Sequence, residues 1–283
     1  MKLVLLTALA MVAFGANSVL NRAAVDMAGM DPMIFAVVRV ASGAAMLLAL
    51  VALRGKGLPR AGLLPPVWLA LYMVGFSWAY RGLDAGVGAL ILFGGVQVTM
   101  FAGALLAREA IPPRRWVGMS LAFAGLVWLS WPAQGSAVAV ADILAMCIGA
   151  VGWGLYSLAG RREADALGAT AMNFALCLPL VGTLAVMAGW GASPASGLAL
   201  AVVSGAVTSG LGYALWYRVL PRLSASAAGV IQLSAPVVAV FGGVVLLSET
   251  VTWPVVGAAV LILGGIAVAV LHRPARSESD PPR

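Results

Sequence analysis

Apolar runs of about 20 residues recur along the whole chain, and they limit its fold more than any other feature. Of the 283 residues, 62% are hydrophobic and 10% are charged, whereas a soluble domain carries about 25% charged residues. A helix of about 20 apolar residues is long enough to cross a bilayer. Because the runs are continuous rather than alternating, they exclude a transmembrane barrel. The sequence therefore predicts an all-α polytopic membrane protein whose main partner is the lipid bilayer.

Ten spanning helices can be drawn, and the short connections between them leave no room for a further soluble domain. We place the helices at residues 3–25, 32–53, 63–81, 85–107, 114–131, 138–160, 168–190, 196–217, 223–247 and 253–271. Residues 272–283 are polar and contain proline, which predicts a disordered cytosolic tail. The start of the chain also has features of a cleaved signal peptide. We interpret residues 1–25 as a retained first helix, because this stretch has a counterpart in the second half of the chain.

That counterpart belongs to an internal repeat, in which the second half of the chain matches the first at a shift of 137 to 140 positions. Matching pairs include Gly15 and Gly154, Arg22 and Arg161, Tyr80 and Tyr217, Phe101 and Phe241, and Glu109 and Glu249. The halves, residues 1–135 and 136–271, would hold five helices each. Because five is odd, the second half would be inverted in the membrane, as in many transporters with a midplane substrate site. Similar composition is the alternative explanation, but the matched Arg, Glu and aromatic residues argue against it.

Lys and Arg are distributed unevenly between alternate loops. Fourteen of them fall in one set of loops and the termini, while the other set holds only Arg22 and Arg81. Basic loops stay on the cytoplasmic side, so we expect both termini in the cytosol, with the chain in a bacterial inner (plasma) membrane. The net charge of +7 is spread over short loops rather than gathered on one face. It therefore does not indicate nucleic-acid binding.

Two stretches resemble the EamA-type family of the drug/metabolite transporter superfamily. FAVVRVASGAAMLL, which contains Arg39 and is entered by Asp31-Pro32, resembles the second helix of that family. SAPVVAVFGGVVLLSETVTWPVVGAAVLILGG resembles the end of each half, although Pro236 has no counterpart in the first half. The resemblance covers roughly residues 5–270, and in length and aromatic content the chain is similar to the YddG-type exporters of aromatic amino acids. It implies a secondary transporter in which helices one to four and six to nine surround a cavity.

Arg39 is the only basic residue well inside a predicted helix, about 12 Å along the axis from Asp31. A charge at that depth is costly unless it is paired or hydrated, so it marks a functional site. It would either contact a substrate carboxylate or tether a neighbouring helix, and the resemblance favours the tether. Asn17 and Asn21 lie one turn apart, so they share a face that either lines the cavity or bonds to another helix.

Aromatic residues at steps of three or four on the third, sixth and eighth helices would suit an aromatic or amphipathic substrate. Packing and an interfacial aromatic belt are the alternatives. The candidate substrate-binding residues are Asn17, Asn21, Arg39, Phe76, Trp78, Tyr80, Gln97, Trp153, Tyr156, Ser209, Tyr213 and Gln232. The candidate hinges are Pro236, Gly94, Gly95, Gly242 and Gly243. Gly118 and Gly125, like Gly257 and Gly264, are seven residues apart and predict packing seams on helices five and ten.

Transport is the function that these features favour. The chain has no Gly-x-Ser-x-Gly and no His-Glu-x-x-His motif, and its single histidine, His272, lies at the cytosolic edge. We therefore expect no catalytic residue, metal or cofactor. Because every carboxylate lies near a helix end or in a loop, we expect facilitated diffusion or exchange rather than proton antiport. Amino acids are the favoured small-molecule substrates; drugs, nucleosides or nucleotide sugars are alternatives, and a scaffold or receptor is the non-transport alternative. The sequence does not distinguish a monomer from a homodimer.

Overall fold

A computed structural model describes residues 2–55, 57–59, 62–108, 111–130, 140–160, 163–222 and 231–270. In these residues all regular secondary structure is helical. The helices are α1 (Lys2–Arg22), α2 (Pro32–Leu53), α3 (Leu64–Ala79), α4 (Ala85–Leu106), α5 (Pro113–Ser130), α6 (Val140–Gly160), α7 (Ala166–Ala188), α8 (Ala195–Val219), α9 (Ser234–Leu247) and α10 (Trp253–Val270). Glu109, Arg161 and the tail at 272–283, which carry predictions above, lie outside the described residues.

Seven of the described helices are long and apolar enough to cross a bilayer: α1 with its extension to Met27, α2, α4, α6, α7, α8 and α10. Two further apolar helices, α3 and α9, are shorter. These lengths agree with a multi-pass membrane protein. The count of ten spans stays a prediction.

Capping residues explain where α2 and α7 begin. The Asp31 carboxylate accepts hydrogen bonds from the backbone N–H groups of Met33 and Ile34 at 2.8 and 3.1 Å, and Pro32 follows it at the first helical position. Asp165 accepts from the backbone N–H of Gly168 at 3.2 Å. Such side chains satisfy N–H groups that have no partner within the helix, and proline suits the first position because it has no N–H to lose.

The predicted helix over residues 223–247 is interrupted in the structure. Ile231 and Gln232 are helical, Leu233 forms a turn, and α9 begins at Ser234. Proline cannot donate to the carbonyl four residues earlier, which for Pro236 is that of Gln232. The break therefore falls where Pro236 removes a helical hydrogen bond, and Pro236 itself lies buried in the first turn of α9.

Two π-helical segments interrupt the regular geometry in the described part of the chain, and no sequence pattern predicts them. One, Ala23–Met27, extends α1; the other, Ser204–Leu211, lies within α8. Gly205 in the second segment packs against the backbone carbonyl of Arg39, so closely that a Cβ atom at position 205 would overlap it. The π-helical segment therefore brings α8 into close contact with α2.

The helices pack in pairs drawn from the two halves of the sequence. α2 contacts α7, α4 contacts α9, and α5 contacts α10. In addition, α1 packs on α8 and α9, while α6 packs on α3 and α4. The main hydrophobic core lies where α1, α2, α3, α6, α7 and α8 meet, and α5 and α10 lie to one side of it.

The seam between α5 and α10 differs in one residue from the prediction. Gly118 packs on the backbone of Gly265, Gly125 packs on Ile262, and Gly257 meets the ring of Trp128. Gly264, which was expected in the seam, has no atom within 4 Å of the position where its Cβ would lie. The neighbouring glycine takes its place because a helix turns 100° per residue, and only one of two adjacent residues can face α5.

Candidate functional site

Arg39 lies at the centre of the molecule, where α2, α3 and α8 meet. Its side chain is fully buried, and its Nε donates a hydrogen bond to Ser209 Oγ at 3.2 Å. Its Nη2 donates to the hydroxyl oxygen of Tyr72 at 2.9 Å. The Cζ atom lies 4.9 Å from the centre of the Phe76 ring and 5.2 Å from that of Tyr72, within the range of a cation–π interaction. The guanidinium therefore connects the first half of the sequence to the second.

A second polar contact between the halves joins α1 to the π-helical segment of α8. Asn17 Oδ1 accepts hydrogen bonds from the hydroxyl groups of Ser204, at 2.8 Å, and of Thr208. Asn21, one turn further along α1, donates from Nδ2 to Ser77 Oγ on α3 at 3.3 Å. All five side chains are buried, so the polar face predicted on α1 points into the bundle.

Aromatic rings form a continuous column through the bundle, which we call the aromatic column. It runs Tyr80, Phe76, Tyr72, Trp153 and Tyr213, with successive ring centroids 4.9, 5.2, 4.9 and 5.3 Å apart. The rings of Trp153 and Tyr213 are stacked, with 21° between their planes. Tyr80 is fully buried, so it does not belong to an interfacial belt, which was one of the alternatives.

Tyr156 and Tyr217 extend the aromatic column on its far side. The Tyr156 ring is stacked on Trp153 at 5.5 Å, and the Tyr217 ring lies 6.5 Å from that of Tyr213. The Tyr156 hydroxyl accepts a hydrogen bond from Asn173 Nδ2 at 3.4 Å. The column thus joins rings of α3, α6 and α8, and the hydroxyl groups of Tyr72 and Tyr156 have hydrogen-bonding partners.

Other predicted residues are less deeply buried than Arg39. Trp78 is half-buried beside an apolar groove and stacks on the Arg81 guanidinium, with Cζ 4.6 Å from the ring centre. Gln97 and Gln232 are half-buried. Their role in binding stays a prediction.

The glycines predicted as hinges lie in helices that pass through them without a break. Gly94 and Gly95 are in α4, and Gly242 and Gly243 are in α9. Added Cβ atoms at these positions would meet Leu126, Ala150, Val19 and the Glu249 carboxylate. These glycines therefore permit close packing in this conformation, and movement at them stays a prediction.

Charged residues close one end of the bundle, which we call the Arg22 end. Arg22 forms ion pairs with Asp26, Asp84 and Glu249 at 3.2, 3.6 and 3.7 Å. Both carboxylate oxygens of Glu249 also accept from the backbone N–H of Ala85, at 2.8 and 3.0 Å, at the start of α4. Burial raises the pKa of Glu249 above its ordinary value, and the Ala85 hydrogen bond and Arg22 oppose that rise.

The opposite end, which we call the Arg54 end, carries a single described ion pair. Arg54 at the end of α2 lies 3.4 Å from Asp165, which caps α7. Arg54 is 40% exposed and Asp165 29%, so solvent weakens this pair more than the Glu249 contacts. Among the described residues, ion pairs are therefore more numerous at the Arg22 end than at the Arg54 end.

Two apolar grooves lie between helices and away from Arg39. One, of about 730 Å³, is lined by residues of α3, α6 and α7 that include Trp78 and Thr183. The other, of about 430 Å³, lies between α9 and α10 and is lined by Val240 and Val255 among others. Within the described part of the chain, no group of three or more His, Cys, Asp and Glu residues is placed to hold a metal ion.

Several residues at the centre were missing from the predicted site. Ser204, Thr208 and Tyr72 contact predicted residues directly, and so do Ser77 and Asn173. Their common signal is a polar side chain within an apolar run, which is disfavoured where it faces lipid. Ser204 and Thr208 are also four residues apart, the spacing of neighbours on one helix face.

The chain is similar to known proteins over nearly its whole length. It matches the EamA-like transporter family over residues 1–131 and again over residues 141–271. It is 40% identical over 279 residues to an uncharacterized protein of Pseudomonas aeruginosa, covering 98% of this chain and 97% of that protein. It is 26% identical over 223 residues to an uncharacterized transporter of Archaeoglobus fulgidus, covering 78% and 80%. A solved crystal structure with 23% identity has the same fold, with a TM-score of 0.67 over 95% of this chain and 96% of that one.

The helical fold, the apolar spans and the buried polar centre define a multi-pass membrane protein. The chain belongs to the EamA-like transporter family, as its sequence motifs predict. Members of that family are membrane transporters of small solutes rather than enzymes, which agrees with the predicted class of function.

Proposed function

We propose that the protein exports amino acids, chiefly aromatic or amphipathic ones, by alternating access between two inverted halves of the chain. The observation that carries this proposal is the aromatic column, whose contacting rings pass Arg39 at the contact between the halves. Aromatic rings stack favourably on one another, so a substrate ring can replace a contact within the column. This chemistry favours the exporters of aromatic amino acids among the branches of the family.

The proposed halves are residues 1–135 and 136–271, each with five spanning helices. The double family match, over residues 1–131 and 141–271, supports this division. The packing also supports it. If each of α1–α5 is replaced by the helix five places later, and each of α6–α10 by the helix five places earlier, the contact of α3 with α6 becomes that of α8 with α1, which the structure contains. The same exchange returns the pairs α2–α7, α4–α9 and α5–α10 to themselves. Five helices per half would invert the second half in the membrane and place the substrate between the halves.

We further propose that the protein lies in a bacterial inner membrane with both termini in the cytosol. The excess of Lys and Arg in one set of loops supports this orientation. The Arg22 end would then face outward and the Arg54 end the cytosol. We also propose transport by exchange or facilitated diffusion. The position of the charged residues supports it, since the ion-paired carboxylates of Asp26, Asp84, Asp165 and Glu249 lie at the two ends.

Substrate movement through this centre requires a change of conformation. The aromatic column is closely packed, and ion pairs bridge both ends of the bundle. We propose that α4 and α9 move against the other helices, with flexion at the turn before Pro236 and at the glycine pairs of these helices. Opening at the Arg22 end would then break the ion pair of Glu249 with Arg22 on α1.

The experiment that tests this function measures efflux from proteoliposomes for a panel of amino acids, nucleosides, nucleotide sugars and cationic drugs. We expect aromatic amino acids to be transported, and Trp153→Ala or Tyr213→Ala to lower their transport by up to about tenfold, the value of one aromatic contact. Trp253→Ala is the matched control, because the Trp253 side chain is 85% exposed. Transport of nucleosides or drugs without amino acids, or unchanged transport in both column variants, would show that the proposal is wrong.

A further inference from the structure

The Arg39 guanidinium has a free nitrogen at the centre of the molecule. Nε and Nη2 donate to Ser209 and Tyr72, but the buried Nη1 has no hydrogen-bond partner. A guanidinium has five N–H donors and never loses its charge in a protein. A buried donor of this kind costs free energy while it stays unpaired, and a charged one costs more than a neutral one. The nitrogen is therefore available to a group that the protein itself does not provide.

The positive charge of Arg39 also has no counter-ion in the described part of the chain, where the carboxylates in ion pairs contact Arg22 and Arg54. The rings of Phe76 and Tyr72 offset part of the charge. The N–H bonds of a guanidinium point outward in its plane, and these neutral rings supply no negative charge to pair with them. An anion in that plane would satisfy both the charge and the free nitrogen.

We infer that Arg39 binds the carboxylate of the transported solute through Nη1, and that a carboxylate is therefore required in the substrate. This inference rests on the proposed function, because it places the substrate in the aromatic column. A carboxylate is the favoured anion because guanidinium and carboxylate form strong charge-assisted hydrogen bonds, whereas phosphates generally take clustered Lys and Arg. Cationic drugs and uncharged nucleosides do not meet this requirement.

The position of Arg39 links carboxylate binding to the contact between the halves. Ser209, which accepts from Nε, lies in the π-helical segment Ser204–Leu211, and such segments are frequent at functional sites. A carboxylate at Nη1 would bind the same guanidinium that donates hydrogen bonds to Ser209 and Tyr72. Binding of the solute therefore changes the bonds that connect α2 to α8 and α3.

The test compares equilibrium binding of L-tryptophan, L-tryptophanamide and indole-3-propionate to the purified full chain in detergent. The amide lacks the carboxylate, and indole-3-propionate keeps it but lacks the amino group. We expect both carboxylates to bind about ten- to a hundredfold more tightly than the amide, the range for a hydrogen bond to a charged group. Arg39→Lys should weaken binding of the carboxylates more than binding of the amide, because lysine keeps the charge without the planar fork.

Because Arg39 variants also lose contacts between helices, Ser209→Ala serves as a second variant. It frees another guanidinium donor and leaves the charge in place. We expect the preference for carboxylates over the amide to be larger in this variant than in the wild type, whereas a purely structural Arg39 predicts lower stability with an unchanged preference.

The outcomes separate this inference from the proposed function. Equal binding of tryptophan and its amide, with transport of both, leaves amino-acid export standing and overturns the role of Arg39. Binding of none of the three compounds, in a protein that transports nucleosides or cationic drugs, overturns both. A preference for carboxylates that persists in Arg39→Lys and Arg39→Gln also overturns the inference.

Discussion

At the scale of the residue, Asn17 does more than occupy a polar position on α1. Its single carbonyl oxygen accepts from two hydroxyl groups of α8, those of Ser204 and Thr208. These contacts are buried and cross between the halves of the sequence. Of the two roles that the sequence left open for Asn17, the contact to another helix is the one the structure contains, and a role in substrate binding stays a prediction.

We predict that Asn17→Ala lowers stability, because it removes the acceptor of the Ser204 hydroxyl group and leaves Thr208 with only the Ser204 carbonyl. A double-mutant cycle with Ser204→Ala should give a coupling energy of about 0.6 kcal/mol and no more than about 1.7 kcal/mol, the range for polar pairs between membrane helices. Thermal unfolding in detergent measures it. Ser157→Ala is the matched control, since Ser157 Oγ donates to the carbonyl of Trp153 in its own helix. A coupling of zero with Ser204 would contradict the assigned bond.

A second prediction concerns Glu249, whose pKa is raised by burial. A carboxyl group with a raised pKa in the folded state binds its proton more tightly there than in the unfolded state. Protonation therefore stabilises the fold, and this contribution is lost as the pH rises from the ordinary value of 4.5 through the raised pKa. In Glu249→Gln, which cannot ionise, we expect a smaller fall in unfolding temperature over that interval.

Asp84→Asn, which removes a neighbouring carboxylate, is the control for this measurement. Arg22 and the backbone N–H of Ala85 favour the ionised form, whereas Asp84 disfavours it. Asp84→Asn removes a carboxylate that is 46% exposed, so its own effect should be small. Identical pH profiles for the wild type and Glu249→Gln would show that the burial of this carboxyl does not influence stability.

At the scale of the element, the contact between α5 and α10 depends on which glycine faces the partner helix. Gly265 meets the backbone of Gly118 and Ala122, while the adjacent Gly264 faces open space. Small residues allow membrane helices to approach closely and gain van der Waals contact. Two neighbouring glycines of the same helix thus have opposite structural roles.

We predict that Gly265→Leu destabilises the protein and that Gly264→Leu does not. Overpacking a close contact costs about 1–3 kcal/mol, and Gly265→Leu would push α10 away from α5. Gly264→Leu is the matched control, because it adds the same side chain one position away. Thermal unfolding in lipid nanodiscs compares them. Equal losses in the two variants would mean that the seam lies elsewhere.

The π-helical segment of α8 shows where prediction of elements from sequence stops. The apolar run over residues 196–217 gives the helix, and its observed bounds, Ala195–Val219, differ from it by one or two residues. The run contains no signal for the π geometry of Ser204–Leu211. In that segment Gly205 packs against the backbone of Arg39 on α2, a contact remote in sequence that the run does not indicate.

At the scale of the whole molecule, the helical membrane fold could be predicted because bilayer thickness fixes the length of the apolar runs. Proline and aspartate then indicate the helix starts, as at Asp31-Pro32. The centre was less predictable. Arg39 and Asn17 were found because they are polar within apolar helices, but Ser204 and Thr208 are small hydroxyl residues that a helix can also satisfy internally, as Thr208 does with the Ser204 carbonyl at 2.9 Å.

The two cysteines of the molecule differ in exposure in a way that makes one of them a built-in probe. Cys147 on α6 is exposed, whereas Cys177 on α7 is fully buried in the main hydrophobic core. In a Cys147→Ser background, alkylation of Cys177 by a small maleimide should be slow in the closed protein. We predict that a transported solute raises this alkylation rate, because opening the centre admits the reagent. Mass spectrometry measures the rate. A rate that is the same with and without solute would contradict such opening. The alkylation rate of a native thiol would therefore report how often the core of the protein opens.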